Sequence, residues 1–150
     1  MTQEKIEYLI KKFHLKYSIP VTLTIISIYF WTTFLDPNFL DIAGVIINVL
    51  GLVVWWLAKL TLAENWNIGF GKPKINQLVT HSIYSKIRHP MYWGINLTFT
   101  GLILLNPEFW FSIISLFIIV YFFSRMRIED KYLSEKLGKE YLDYKEKTIF

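Results

Sequence analysis

The sequence predicts an all-α membrane protein with about four transmembrane helices, the last two forming a short hairpin. An N-terminal interfacial helix and a C-terminal cytoplasmic amphipathic helix complete it. Three observations predict this. Hydrophobic residues make up 53% of the 150, and they gather in blocks. A soluble domain sits nearer 45–50% apolar, with its apolar residues dispersed. Asp36-Pro37-Asn38 and Asn106-Pro107-Glu108 divide the blocks with turn chemistry. All 16 Lys and Arg fall before the first block, between the second and third, or after the fourth. The positive-inside rule then puts both termini and the long central connector in the cytoplasm.

In chain order, Met1 to Tyr17 is polar, with an apolar stripe at Ile6, Leu9, Ile10 and Phe13. That spacing predicts a short helix lying in the membrane interface. No small-residue cleavage pattern follows the first apolar run, so a cleaved signal peptide is not expected. Ser18 to Leu35 is the first span and Ile42 to Leu62 the second, with Lys59 placed to snorkel to the headgroups. Asn65 to Ile87 is a polar connector. Met91 to Leu105 is the third span. Asn106, Pro107 and Glu108 read as cap, first helical residue and dipole-matching acid of the fourth, Phe109 to Phe123. The last two spans hold about 15 residues each, roughly 22 Å of helix against a core near 30 Å. Leu133, Leu137, Tyr141 and Tyr144 form a final helical stripe, in which Gly138 marks a break or a close contact. The length suits a single domain over 1–150.

Composition removes several function classes. There is no cysteine, hence no disulfide, thiolate nucleophile or Cys-based metal site. The net charge of +4 flanks apolar blocks and forms no separate basic face, so nucleic acid is not an expected partner. His14, His81 and His89 lack ligand spacing, and no metal is expected. Gly69-Phe70-Gly71 lacks the strand–turn–helix context of a dinucleotide fingerprint. The six Trp read by default as interfacial belt residues.

Arg88-His89-Pro90-Met91-Tyr92-Trp93-Gly94 sets a cation, an imidazole and a proline at the mouth of an apolar segment. Arg88 reads either as an interfacial anchor or as part of a site with His89, Tyr84 and Tyr92. Arg125-Met126-Arg127-Ile128-Glu129-Asp130 returns a second polar cluster to the same side. The paired acids read as a solvated turn, as acid–base groups, or as receptors for an amine or ribose hydroxyl. Arg125 lies four residues before Glu129 on one helix face, either snorkelling or meeting a carboxylate or phosphate.

Leu78-Val79-Thr80, Tyr84, Arg88-His89-Pro90-Met91-Tyr92 and Gly94 resemble the signature of isoprenylcysteine carboxyl methyltransferases and their phospholipid-methylating relatives. So do Arg125, Glu129-Asp130, Leu133 and Gly138-Lys139-Glu140-Tyr141-Leu142-Asp143-Tyr144. The resemblance runs from Trp66 onward. It departs where Ser82-Ile83-Tyr84 replaces a common Gly-Pro-Tyr and where Asp130 replaces a second Glu. It implies a multi-pass membrane methyltransferase using S-adenosyl-L-methionine and acting on a lipophilic or lipid acceptor. It implies a cofactor pocket formed by Gln77, Leu78, Val79, Tyr84, His89, Pro90, Met91, Tyr92 and Glu129. The candidate catalytic residues are Arg125, facing the acceptor's polar end, and Arg88. A membrane reductase using NADPH and a non-catalytic membrane subunit are the alternatives.

Overall fold

A computed structural model describes residues 22–29, 31, 37–62 and 78–149. The expected interfacial helix, most of the polar connector and Gln77 lie outside the described residues. The chain divides into two compact units, Met1–Pro37 and Asn38–Phe150. In the first, residues 22–29 are helical, within the expected first span. The second holds α1 (Phe39–Leu62), a 3-10 turn (Ser82–Ser85), α2 (Pro90–Leu105), α3 (Phe109–Leu137) and α4 (Lys139–Glu146). No strand occurs among the described residues.

Local chemistry sets where each helix begins. Asn38 caps α1: its Oδ1 accepts from Leu40 N–H at 2.8 Å and Asp41 N–H at 3.2 Å. Asp41 Oδ2 accepts in return from Asn38 N–H at 2.8 Å, so orphan donors are satisfied reciprocally. Pro90 opens α2, where its missing N–H costs nothing. Asn106 closes α2, its N–H on Leu102 O, and Glu108 holds the N-cap position of α3. The third apolar helix thus begins two residues later than the cap reading of Asn106 placed it.

α1 and α3 are long and apolar enough to cross a membrane, while α2 is apolar but has 16 residues. Ile46, Val53 and Leu60 of α1 and Trp110, Phe117 and Val120 of α3 are exposed, as lipid-facing residues are. α3 continues without a break past its apolar run, because 124–137 contains no Pro or Gly. Ser124 Oγ folds back onto Val120 O, and Lys131 pairs with Glu135 at 4.0 Å. The expected amphipathic tail helix is therefore the end of α3 plus α4, hinged at Gly138. Gly138 has φ +55°, a backbone region L side chains rarely adopt, with open space around it.

α1 and α2 run antiparallel along a seam of small residues that sequence reading passed over. A Cβ on Gly51 would come within 2.7 Å of Gly94 O, and one on Gly94 within 2.6 Å of Trp55 N. Gly44 and Gly101 meet one heptad further along. Asn48 Nδ2 donates to Thr98 O at 3.0 Å across the contact. Between apolar helices in lipid, such backbone approach replaces the hydrophobic drive that water would supply. Lys59 does not snorkel: it is 4% exposed, its ammonium 5.0 Å from the Trp55 ring and 5.7 Å from that of Trp56. Trp55 is likewise a buried packing residue and no belt residue.

This seam leads to a stability prediction. Gly51→Ala forces a methyl against Thr98 and Gly94 backbone, so it should destabilise by about 1–3 kcal/mol. Surface Ser85→Ala should change little, within about 0.5 kcal/mol. Thermal unfolding of the detergent-solubilised variants measures both.

Candidate functional site

The site forms where α2 begins, α3 leaves its apolar run and α4 folds back. His89 precedes Pro90 with φ −124° and makes no cap hydrogen bond. Its ring is committed elsewhere: Nε2 lies 2.6 Å from Asp130 Oδ1. Tyr141 Oη donates to the same oxygen at 2.5 Å, and Arg88 Nε lies 3.8 Å from it. Lys145 Nζ stands 3.4 Å from Oδ2. One carboxylate on α3 thus gathers groups from α4 and from the segment before α2.

One residue earlier on α3, Glu129 faces a different partner. Tyr92 Oη donates to Glu129 Oε2 at 2.8 Å. Arg125 also forms a side-chain hydrogen bond with Tyr92, so a cation and a carboxylate meet at one phenol. Their four-residue spacing puts them on a common face. The Tyr92 ring stacks on His89 at 5.9 Å and tilts against Phe122 at 5.5 Å.

The tail closes one flank. Tyr144 Oη donates to Tyr84 O at 2.7 Å. Arg88 Nη1 donates to Lys145 O at 3.1 Å and Thr148 O at 3.4 Å. Ile149 N–H donates to Lys86 O at 2.8 Å, in a single parallel bridge between Ile87 and Ile149. Leu133, Tyr141 and Tyr144 make a small core, with Leu78 and Leu137 against it. Leu78 also lines a cleft of about 460 Å³ with Thr80, Ser85, Asp143 and Lys147.

Electrostatics follow from this crowding. Burial alone would raise the Asp130 carboxyl. Hydrogen bonds from His89 and Tyr141, with the charges of His89 and Arg88, outweigh that and hold it well below the usual carboxylate range. Burial pushes the Tyr144 phenol up to about 12, with Arg88 opposing and Asp130 assisting. Burial and then Asp130 raise Tyr141; burial and then Glu129 raise Tyr84. At neutral pH Tyr141 and Tyr144 therefore remain hydrogen-bond donors.

The structure brings together Tyr84, Arg88, His89, Tyr92, Arg125 and Glu129. Pro90 is buried at the start of α2; Leu78, Val79 and Met91 are half-buried. Sequence reading weighed Asp130 only as half of an acidic pair and gave Tyr141 and Tyr144 no site role, although Asp130 joins four other residues. The available signal was Tyr141 and Tyr144 on the stripe of Leu133 and Leu137, which returns the tail to Asp130.

Asp130 should make stability pH-dependent. Its carboxyl binds fewer protons folded than unfolded, so its contribution is complete above the unfolded value, about 3.9. The contribution is lost as pH falls below that toward the depressed folded value. Asp130→Asn should lower stability at pH 7 by about 1–3 kcal/mol and flatten the acid limb. Melting temperatures from about pH 6 down to about pH 3 measure both; an unchanged acid slope would contradict the assignment.

Comparison with known proteins agrees with this architecture. The family model for phospholipid methyltransferase matches residues 39–140. A protein-S-isoprenylcysteine O-methyltransferase of Tribolium castaneum is 31% identical over 130 residues, covering 82% of this chain and 45% of the relative. Its counterpart in Saccharomyces cerevisiae is 34% identical over 115 residues, covering 71% and 46%. The Homo sapiens enzyme is 30% identical over 128 residues, covering 79% and 43%. The chain spans about half the length of these relatives. The family match runs from α1 through the polar cluster into α4, and this chain belongs to the phospholipid methyltransferase family.

Proposed function

We propose that this protein is a multi-pass membrane methyltransferase, moving a methyl group from S-adenosyl-L-methionine to a lipophilic acceptor at the cytoplasmic face. The observation that carries this reading is the Tyr92–Glu129–Arg125 group at the end of two apolar helices. A polar reactant from water and an apolar one from lipid can meet there. The distribution of Lys and Arg along the sequence supports a cytoplasmic side for both termini and the connector.

The residues suit the cofactor chemically. Glu129 offers a half-buried carboxylate to an amino or hydroxyl group, and the Tyr92 and His89 rings offer faces to a sulfonium. Leu78, Val79, Pro90 and Met91 would supply apolar walls, with Tyr84 beside them; Gln77 joins the set by the resemblance alone. Bound there, S-adenosyl-L-methionine would supply an electrophilic methyl group.

Methyl transfer is a displacement, so the protein's task is to align, desolvate and hold the reactants. Arg125 holds the anionic end of the acceptor. Arg88, bonded to the tail carbonyls and beside Asp130, acts as a positioning residue: it keeps α4 and His89 in place. A carboxylate or thiolate acceptor needs no base. For an amine, Glu129 or His89 accepts the proton.

Calorimetry of detergent-solubilised protein should show saturable binding of S-adenosylmethionine and S-adenosylhomocysteine. Binding of NADPH alone would replace methyl transfer with a reductase reading. Glu129→Gln should weaken S-adenosylhomocysteine by about 1.5–3 kcal/mol. Arg125→Ala should keep that affinity and lower turnover; the reverse pattern would exchange their roles.

Orientation has its own test. Cysteines at Asn38 and Asn106 should react with an impermeant thiol reagent added outside cells, and cysteines at Lys74 and Lys147 should not. Labelling at position 74 from outside would invert the topology.

A further inference from the structure

Two polar side chains are buried below the site with no hydrogen-bond partner among the described residues. Asn96 in α2 is 3% exposed and Ser115 in α3 is 1% exposed. Among the described residues, neither the Nδ2 nor the Oδ1 of Asn96 has a hydrogen-bond partner, and neither has the Ser115 hydroxyl. Unpaired buried amides are costly, most of all at membrane depth, and each one calls for an explanation.

Helix phase shows where they face. Gly94, Thr98 and Gly101 touch α1. Tyr92 and Trp93 meet Phe122 and Phe123 of α3, the latter pair at 5.4 Å. Asn96 follows Tyr92 by four residues and Trp93 by three, so it shares their α3-facing side. Ser115 precedes Phe122 by seven residues, so it lies on the α2-facing side of α3, about two turns deeper. Helical side chains lean toward the N-terminus, which for α2 is the site end. The Asn96 amide is therefore directed along the α2–α3 boundary toward Tyr92, from about 6 Å deeper along the axis.

We propose that Asn96, with Ser115 beyond it, receives a second polar group of the acceptor between α2 and α3. The acceptor is then an amphiphile carrying an amide, ester carbonyl or hydroxyl about one helical turn from its reacting end. A bare hydrocarbon chain at that depth would leave both side chains unpaired, and a site built to hydrogen-bond discriminates against it. The inference rests on the methyltransferase reading for what an acceptor is, but the contact is tested by binding alone.

Two pairs of matched length isolate it: N-hexadecanoylglycine against nonadecanoic acid, and N-hexadecanoylethylenediamine against nonadecylamine. Each pair shares a head and differs in one amide. Affinity is read from intrinsic tryptophan fluorescence in detergent, since Trp93 lies at the α2–α3 boundary. The parent should bind the amide member about tenfold tighter in at least one pair. Asn96→Leu should reduce that preference to within about twofold while keeping the parent's melting temperature or exceeding it. Ser115→Ala, the milder change, should weaken the preference and stands in if Asn96→Leu does not fold. Equal binding within both pairs overturns the proposal. So does a preference that survives in both variants, or a lowered melting temperature with the preference intact, which marks a structural role. S-adenosylhomocysteine is titrated in parallel. Its failure to bind the parent while the amide preference holds sinks methyl transfer and leaves the contact standing.

Discussion

The second unit is organised by a single carboxylate. Asp130 is 20% exposed by its side chain, and it faces His89, Tyr141, Arg88 and Lys145. Such a buried anion is costly unless several donors compensate it. Those donors come from the turn before α2 and from α4, so satisfying the charge fixes the relative placement of three chain segments. Glu129 is the next residue of a continuous helix. Whatever immobilises Asp130 also orients Glu129 toward Tyr92, so the geometry of that pair depends on the cluster around its neighbour.

The apolar blocks of α1, α2 and α3 and the break before α3 were legible because they follow from composition and period alone. So were the two polar clusters, since Arg88-His89-Pro90 and Glu129-Asp130 interrupt otherwise apolar chemistry. The glycine seam was not legible. Gly44, Gly51, Gly94 and Gly101 acquire meaning only when two helices are paired, and no local rule identifies the partner. Lys59 was misread for a similar reason: its depth depends on Trp55 and Trp56 folding beneath its ammonium. Asp130 and Tyr141 are 11 residues apart, and only the reversal at Gly138 brings them together.

α2 has two unlike sides. Toward α1 its backbone approaches so closely that no side chain beyond hydrogen fits at Gly94. Toward α3 the contact is made through large rings near the site, with polar groups unpaired below. The helix therefore meets one neighbour through backbone and the other through side chains.

α3 also has a mechanical consequence. From Trp110 to Glu129 it is an uninterrupted rod of about 28 Å, at 1.5 Å per residue. A rod transmits rotation without loss. A tilt of about 5° at its lipid-embedded end carries Glu129 sideways by about 2.5 Å, close to the length of a hydrogen bond. Tilt is the usual response of a helix to a bilayer thicker or thinner than its apolar run. A change of bilayer thickness that tilted α3 would thus be felt at Glu129, through the stiffness of one helix.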